Sequence, residues 1–320
     1  MIFDGLAEYL MPLATVASSF ARLDTQRTML QDRVRVLGLR LAIERAVRPG
    51  DVVVEIGTGT GLLAIFAARA GARKVYAIEM TEMCEVARDA ARRNGFGAQI
   101  EVIEGRSDEA ELPERGDVLI SETMGHLGID EGIVQTVADA RRRLLKPQPR
   151  LVPKTIDICL VPTADRSVHE REITFWREPL AGVDFSGAAR MAAGRVYLRR
   201  VFDNEMLAPA RVAAHIDLAA AEEPPRCFDT GFLAGRDGEI TGLAAWFESE
   251  LYDGVPLNSR ATTSWYPLLF PIDPTLPVTA GGEIIAHLAV RDAGAEAAWS
   301  WRISSAGVER EGGRRPVAEA

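Results

Sequence analysis

A glycine-rich loop limits the folds open to this chain more than any other feature. The segment EIGTGTG, residues 55–61, follows a β-prone run at residues 52–56 and precedes a helical pattern at residues 62–70. Glycine permits a tight turn and lets the backbone lie against a ligand, and the start of a helix offers unpaired N–H groups. The sequence therefore predicts a ligand cradle between a strand and a helix. Its candidate cofactor-binding residues are Glu55, Gly57, Gly59 and Gly61.

The pattern around this loop predicts an α/β fold with a parallel, Rossmann-like sheet. Further β-prone runs occur at residues 74–78, 100–103 and 118–120. Helical patterns at residues 81–93 and 131–145 separate or follow them, and such repeats favour parallel strands with right-handed crossovers. The dinucleotide fingerprint needs glycine or alanine where this chain has Leu62, so the loop suits S-adenosylmethionine better than a nicotinamide cofactor.

Two acidic residues follow predicted strands and are candidates for binding adenosine. Glu79 ends the second strand, where a carboxylate can accept both hydroxyls of a ribose. Asp108 follows the third strand and is a candidate acceptor for the adenine amino group, although acidic residues are common in loops without any ligand. Both residues are predicted cofactor-binding positions.

The loop after the fourth strand carries two glutamates, which are the candidate catalytic residues. Glu122 and Glu131 lie in the segment SETMGHLGIDE, residues 121–131, and ligands of open parallel sheets bind at the carboxyl ends of the strands. Two glycines allow the loop to fold back, which would bring both carboxylates onto one guanidinium. Alternatively, Glu131 is only an acidic residue at a helix N-terminus, where such residues are favourable.

Charge and cysteine usage limit the partners and the compartment. The chain has 46 acidic and 37 basic residues, and its formal net charge of −9 argues against nucleic acid as a partner. Three widely spaced cysteines and four histidines without metal-ligand spacing predict neither a disulfide framework nor a metal site. Because the N-terminal residues are acidic and hold no long apolar run, we expect no export signal, no membrane contact and a cytoplasmic location.

A helical cap is predicted ahead of the sheet, over residues 1–49. Its main helix covers residues 27–46 and carries four apolar residues at helical spacing, which we expect to pack against the sheet. These residues are Leu30, Val34, Leu37 and Leu41.

The pattern changes after the predicted cofactor-binding domain, residues 50–152. Prolines within residues 147–153 interrupt the helical pattern, and period-2 apolar runs follow. Residues 153–320 are therefore expected to form an antiparallel β-barrel or sandwich, with a loose tail from residue 306. The predicted strands cover residues 155–161, 240–251, 283–290 and 297–303.

With these motifs in place, the chain resembles the protein arginine methyltransferases. Residues 52–79, VVVEIGTGTGLLAIFAARAGARKVYAIE, carry the glycine loop of that family, and residues 121–131 carry its double-glutamate loop. The resemblance extends upstream through MLQDRVR, residues 29–35, and more weakly into the second half. There TTSW, residues 262–265, occupies the place of the family's Thr-His-Trp loop.

The resemblance implies a role for several residues. Arg35 would hold the carboxylate of the cofactor, Glu79 the ribose and Asp108 the adenine. Glu122 and Glu131 would clamp the acceptor guanidinium. The remaining candidate substrate-binding residues are Met29, His126, Ser264 and Trp265, of which Trp265 is alternatively a barrel anchor.

The chain departs from the family pattern around the acceptor. Ser264 replaces the loop histidine, so the His-Asp pair with Asp32 is absent, and Thr123 replaces the usual tryptophan. Gln26 stands where the family has histidine, and residues 16–20 lack its paired aromatics. These departures leave the methyl donor intact as a prediction and leave the acceptor open.

The resemblance also implies an assembly. Residues 175–186 look like the start of the family's helical dimerisation arm, placed at about residues 170–200, which implies a head-to-tail homodimer.

The predicted activity is S-adenosylmethionine-dependent methylation of a guanidino nitrogen of arginine in a peptide or protein. One alternative is methylation of free arginine or another small guanidino metabolite. A second is a catalytically silent, cofactor-binding dimerisation partner.

Overall fold

The computed structural model describes residues 21–290 and 299–313. The predictions for residues 16–20 and for the first two residues of the strand at 297–303 lie outside the described residues.

Two helices, α1 (Leu23–Gln31) and α2 (Arg33–Ala46), precede the sheet. The sequence pattern predicts one helix over residues 27–46, but the chain breaks at Asp32, which leaves the helical conformation. The Asp32 carboxylate accepts the N–H of Arg35 at 3.1 Å and so caps the start of α2. One continuous helix would lose this cap.

The predicted packing face of this cap is wrong. Leu30, Val34, Leu37 and Leu41 are between 42% and 58% exposed. Instead, α2 buries another face, which packs against the sheet and the barrel strands. That face consists of Leu39, Ala42, Ile43 and Ala46. Because α2 is apolar on two sides, one apolar face stays on the surface.

A five-stranded parallel sheet forms the first half and confirms the predicted Rossmann-like fold. Its strands are β1 (Val52–Ile56), β2 (Lys74–Glu79), β3 (Ile100–Glu104), β4 (Gly116–Ser121) and β5 (Leu145–Val152). Their order is β3-β2-β1-β4-β5. The crossovers contain α3 (Leu62–Arg69), α4 (Met83–Arg93) and α5 (Ile133–Arg143). The strand order reverses between β1 and β4, and ligands of such sheets bind at this switch point.

Two antiparallel sheets form the second half. Their strands are β6 (Thr155–Thr163), β7 (Tyr197–Leu198), β8 (Arg211–Asp217), β9 (Cys227–Leu233), β10 (Gly238–Tyr252), β11 (Val255–Asn258), β12 (Leu268–Val278), β13 (Glu283–Val290), β14 (Trp299–Ser305) and β15 (Val308–Gly313). One sheet has the order β7-β12-β10-β6-β8 with β11 on β10, and the other has the order β15-β14-β13-β9. The predicted loose tail from residue 306 is wrong as far as residue 313, because β15 pairs with β14 there.

The two antiparallel sheets face each other as the predicted barrel. β8 contacts β9 at one side, and β12 contacts β14 and β15 at the other. The fully buried Trp301 lies between the sheets and donates its indole N–H to the Pro271 carbonyl at 2.7 Å.

The predicted arm leaves this barrel between β6 and β7. It contains a π-turn (His169–Ile173), a 3₁₀ turn (Thr174–Arg177) and α6 (Gly187–Ala193). Two more 3₁₀ turns, Asp203–Glu205 and Ser259–Ala261, lie in barrel loops. Across the described ranges, each helix is too short or too polar to cross a lipid bilayer.

Candidate functional site

The glycine loop and the double-glutamate loop start side by side. Ile56, the last residue of β1, pairs with Ser121, the last residue of β4. The glycine loop leaves the first strand and the Glu122 loop leaves the second, at the switch point of the sheet. The fold thus brings the two predicted motifs to one edge.

The three glycines are required by the shape of their loop. Gly57, Gly59 and Gly61 have φ angles of 77°, 52° and 81°, which side chains other than glycine rarely adopt. A Cβ atom on Gly59 would lie 3.0 Å from Oε1 of Gln26, and one on Gly61 would lie 3.1 Å from Cα of Ala87. The backbone of the loop is therefore closely packed on both sides, by Gln26 of the helical cap and by Ala87 of α4.

Glu79 fastens the same loop from β2. Its Oε2 accepts the N–H of Gly59 at 2.8 Å, and its Oε1 accepts the N–H and hydroxyl of Thr81 at 2.9 and 2.7 Å. The residue is 8% exposed. A carboxylate has about four acceptor positions, so these bonds leave capacity for roughly one further donor in this arrangement.

Glu55 is a buried carboxyl beneath the loop. Its Oε2 accepts the Thr58 hydroxyl at 2.7 Å, whereas Oε1 is buried without a partner among the described residues. Burial, with a smaller contribution from the charge of Glu79, raises the pKa of Glu55 to about 8, against the opposing hydrogen bond from Thr58. The carboxyl is therefore largely protonated at neutral pH unless a cation comes to Oε1.

Glu55→Gln is expected to make stability less dependent on pH. The unfolded carboxyl releases its proton near pH 4.5 and the folded one near pH 8, so between these values the wild-type free energy of unfolding falls as pH rises. The slope contributed by this group is at most about 1.4 kcal/mol per pH unit. Denaturant unfolding at a series of pH values should show the variant gaining stability relative to wild type. A constant difference would contradict the buried neutral carboxyl, and Glu109→Gln, on an exposed loop, is the control.

The double-glutamate loop is held in a tight shape from within and from outside. The Asp130 carboxylate accepts the N–H groups of His126 and Leu127 at 3.0 and 2.8 Å. A Cβ atom on Gly125 would lie 2.5 Å from this carboxylate, and one on Gly128 would lie 2.8 Å from Phe247 of β10. The loop is therefore curled around Asp130 and packed against the barrel.

This curled loop brings Glu122, Glu131 and Arg35 together. The Nη2 atom of Arg35 makes an ion pair with Oε2 of Glu122, and both side chains are about nine-tenths buried. Burial raises the pKa of Glu131 well above its ordinary value, and the nearby charges of Glu122 and Asp130 add to this effect while Arg35 opposes it. The arrangement places two carboxyl groups and one cation in a partly desolvated space, which is suited to binding a planar cation.

Arg35 also contacts the helical cap and the barrel. Its Nη1 donates to the carbonyl of Met29 at 3.1 Å, and its guanidinium carbon lies 5.4 Å from the ring centre of Trp265. Trp265 is buried and meets Phe247 edge to face at 5.1 Å. The tryptophan is thus both a barrel anchor and part of the wall around Arg35.

Asp32 joins the cap to the barrel loop that carries Ser264. The Oδ2 atom of Asp32 accepts the hydroxyl and N–H of Ser264 at 2.6 and 2.8 Å and the N–H of Thr263 at 2.9 Å. Burial tends to raise the pKa of Asp32, but these bonds and the one from Arg35 together hold it below its ordinary value. Where the resembled family has a His-Asp pair, this chain has a hydroxyl-carboxylate contact that does not titrate near neutral pH.

His126 lies at the junction of the double-glutamate loop and this barrel loop. Its Nδ1 atom lies 3.2 Å from the amide N of Tyr266 and 3.1 Å from the carbonyl of the same residue. Burial lowers the pKa of His126, with partial opposition from the charge of Asp130. The imidazole therefore links the loops chiefly in its neutral form.

The structure does not place Asp108 in contact with Glu122, Glu131 or Arg35. Its side chain is about half exposed and pairs with Arg106 through contacts of 3.0 and 2.7 Å. Its role at the adenine stays a prediction.

Sequence reasoning did not assign site roles to three residues that hold the site in place. Asp32 and Asp130 are acidic residues that accept several backbone N–H groups, and Gln26 lies buried against the glycine loop. The resemblance places Asp32 opposite residue 264, and an acidic residue ahead of a helix start is in addition a cap signal. Its bond to Ser264, which spans 232 residues of sequence, has no local signal.

Comparisons with known proteins point to methyltransferases. The family model described as ribosomal protein L11 methyltransferase (PrmA) matches residues 36–146. The chain is 32% identical over 306 residues to protein arginine N-methyltransferase PRMT10 of Oryza sativa subsp. japonica, and the match covers 83% of this chain and 80% of that protein. It is 33% identical over 289 residues to the probable histone-arginine methyltransferase CARM1 of Oryza sativa subsp. indica. That match covers 84% of this chain but 54% of the rice protein, so the chain spans about half the length of this relative.

Solved structures share the fold at lower sequence identity. The PRMT1 enzyme-prozyme heterotetrameric complex of Trypanosoma brucei with AdoHcy superposes with a TM-score of 0.85 at 22% identity, covering 93% of this chain and 100% of that chain. Protein arginine methyltransferase 10 of Arabidopsis thaliana superposes with a TM-score of 0.81 at 22% identity, covering 93% and 99% of the two chains.

Proposed function

Because the chain belongs to the protein arginine N-methyltransferase family, we propose that it transfers a methyl group from S-adenosylmethionine to a guanidino nitrogen of arginine in a peptide or protein. The observation that carries this proposal is the meeting of Glu122, Glu131 and Arg35 beside the glycine loop. The name of the indica rice relative, probable histone-arginine methyltransferase CARM1, supports a protein acceptor over a small guanidino metabolite.

The residues around the glycine loop fit S-adenosylmethionine. Nε of Arg35 and Oε1 of Glu55 are both buried without a partner among the described residues. Nε of Arg35 can donate to the carboxylate of a methionine moiety, and its ammonium at Oε1 would favour the charged form of Glu55. Glu79 at the end of β2 retains an acceptor position for a ribose hydroxyl. When bound, the cofactor supplies an electrophilic sulfonium methyl group.

In this proposal Glu122 and Glu131 shape the acceptor. A guanidinium has a pKa above 12 and offers no ready lone pair. Carboxylates on two sides draw positive charge toward the nitrogens that they contact and leave another nitrogen relatively electron-rich and aimed at the methyl group. Orientation of this kind contributes about 7–11 kcal/mol in favourable cases, more than the roughly 3–5 kcal/mol of a general base. Positioning therefore dominates the rate.

The proton released after transfer goes to Glu131 or to water. Ser264 stands where the resembled family has a histidine, and its hydroxyl already donates to Asp32. Burial raises the pKa of Glu131, whereas an acceptor guanidinium bound beside it favours the carboxylate, which can then take the proton that the methylated guanidinium releases. Loss of the histidine therefore leaves a route for the proton.

A labelled methyl donor tests the proposed function. The full chain is incubated with labelled S-adenosylmethionine and, separately, with an arginine peptide, free arginine and small guanidines. We expect label in the peptide at the guanidino group. Label only in the small guanidines would favour a metabolite enzyme, and donor binding without transfer would favour a silent partner.

Two exposed apolar surfaces support a homodimer in the proposed function. The arm surface consists of Phe175, Leu180, Val183, Phe185 and Met191, which are 45–68% exposed. The cap surface consists of Leu30, Val34, Leu37 and Leu41 on α1 and α2. Large apolar patches on one chain mark interaction sites, and each surface can cover the other in a second copy. We place the arm of one protomer on the cap of its partner.

Light scattering should show a dimer at micromolar concentration. Leu37→Glu, which places a charge in the cap surface, is expected to shift the chain to monomer because a charge cannot be buried there without a partner. Val212→Glu, at an exposed apolar residue of β8 outside both surfaces, is expected to remain dimeric. A monomeric wild type, or a Leu37→Glu variant that stays dimeric, would contradict this assembly.

We divide the chain into a cap (1–49), a cofactor domain (50–152) and a substrate domain (153–320). We place the protein in the cytoplasm, which is consistent with cysteines that are free in the described residues.

A further inference from the structure

Arg35, which the resemblance assigns to the methyl donor, contacts Glu122, which the resemblance assigns to the acceptor. The resemblance gives Arg35 to the donor carboxylate and Glu122 to the acceptor guanidinium. In the structure these two side chains form an ion pair, about nine-tenths buried, although 87 residues separate them in sequence. One protein cation therefore lies between the two predicted binding positions.

The surroundings of Arg35 fix it in this bridging position. The Asp32 carboxylate accepts the N–H of Arg35 and also holds the loop of Ser264. The carbonyl of Met29 accepts from Nη1, and the ring of Trp265 lies beneath the guanidinium. Nη2 contacts Glu122, and Nε is buried without a partner among the described residues. The guanidinium thus donates to Glu122 through Nη2, while its buried Nε–H remains available to hydrogen-bond a ligand.

The single positive charge of Arg35 cannot neutralise two carboxylates at the same time. Bound to Glu122 alone, it neutralises the side chain that an acceptor guanidinium needs. A second carboxylate bound to Arg35 offsets part of its positive potential. Glu122 is then less neutralised, so a cation binds to it more strongly. By thermodynamic linkage, a bound acceptor raises the affinity for the donor by the same factor as the donor raises the affinity for the acceptor.

We propose that Arg35 couples the two ligands, so that a donor carboxylate bound at Arg35 makes Glu122 available to the acceptor and each ligand raises the affinity for the other. This inference rests on the proposed function. It predicts that the amino-acid end of the donor, and not its nucleoside, controls acceptor affinity.

Isothermal titration calorimetry on the full chain tests the coupling by binding alone. A blocked peptide with one arginine between glycines is titrated into the free protein, into protein saturated with S-adenosylhomocysteine, and into protein saturated with 5′-methylthioadenosine, which lacks the amino-acid carboxylate. We expect S-adenosylhomocysteine to raise peptide affinity about tenfold and methylthioadenosine to change it less than about twofold. The same peptide with lysine in place of arginine should bind more weakly in every state.

Two variants assign the effect to Arg35. In Arg35→Gln, peptide affinity should be the same with and without saturating S-adenosylhomocysteine. Arg40→Gln, an exposed arginine on the same helix, should retain the tenfold difference. If circular dichroism shows that Arg35→Gln is unfolded, the comparison of S-adenosylhomocysteine with methylthioadenosine in the wild type still tests the coupling.

The outcomes separate this inference from the proposed function. Equal peptide affinity in all three states of the wild type would overturn the coupling and leave the proposed function standing. An equal gain from both nucleosides would also overturn it, because the carboxylate would then have no part. A protein that binds neither S-adenosylhomocysteine nor the peptide would overturn the proposed function together with the coupling.

Discussion

Glu122→Gln is expected to lower turnover on a saturating arginine peptide by about 10- to 150-fold, which corresponds to a charge-assisted hydrogen bond of about 1.5–3 kcal/mol made mainly in the transition state. Glutamine keeps the shape of the side chain and one acceptor oxygen but removes the negative charge that draws positive charge toward the contacted nitrogen. S-adenosylhomocysteine should still bind, because Arg35 keeps its position through Met29 and Trp265. Steady-state kinetics and calorimetry measure the two quantities.

The loss of turnover in Glu122→Gln is expected without loss of folding. Circular dichroism should show a folded variant, since the partner of Glu122 is a cation that can still contact an amide oxygen. Glu109→Gln, on an exposed loop, should retain wild-type turnover. Turnover within about threefold of wild type would remove Glu122 from the acceptor clamp, because threefold corresponds to about 0.65 kcal/mol, well below the about 1.5–3 kcal/mol of a charge-assisted hydrogen bond.

The sheet was predictable because local signals agree with the global fold. β1 is a continuous apolar run ended by glycines, and its neighbours repeat the pattern of strand, turn and helix. β12 gives no such signal, since Pro271, Pro274 and Pro277 argue against a strand. β12 forms because β10 supplies one partner edge, while β7 covers only the first two residues of the other. Long-range pairing there overrides local preference.

The helical cap shows a different limit. Helical periodicity identifies apolar faces but cannot assign each face to its partner, and α2 has two of them. The face with Leu39 and Ile43 packs inside, and the face with Leu37 and Leu41 remains exposed. A sequence pattern records that a surface must be covered, and only the three-dimensional arrangement shows which surfaces this chain covers itself.

In the candidate site, the residues were predictable and their contacts were not. Glu122, Glu131 and Arg35 were each identified from a motif or the resemblance, with separate roles. The pair between Arg35 and Glu122 forms in the first turn of α2, directly after the break at Asp32. Chemistry that depends on such contacts, including the coupling of two ligands, requires the structure.

Glu79→Gln is expected to weaken S-adenosylhomocysteine binding by about 10- to 150-fold, through loss of a charge-assisted hydrogen bond to ribose of about 1.5–3 kcal/mol. The Glu79 carboxylate now accepts three protein donors, from Gly59 and Thr81, on its two oxygens. A glutamine side chain has one acceptor oxygen, so its NH₂ group must face either the N–H of Gly59 or the N–H of Thr81. The substitution therefore disturbs the glycine loop as well as the ribose contact.

These two effects can be separated by their dependence on the ligand. Loop disturbance should lower the free energy of unfolding without ligand, by denaturant titration, and should weaken S-adenosylhomocysteine and adenine alike. Loss of the ribose contact should weaken S-adenosylhomocysteine and adenosine but leave adenine unchanged. Glu82→Gln, an exposed neighbour at the start of α4, should change neither quantity. Equal affinity of wild type and Glu79→Gln for S-adenosylhomocysteine would assign Glu79 to the fold of the loop alone, since a buried carboxylate that contacts ribose cannot lose its charge without cost.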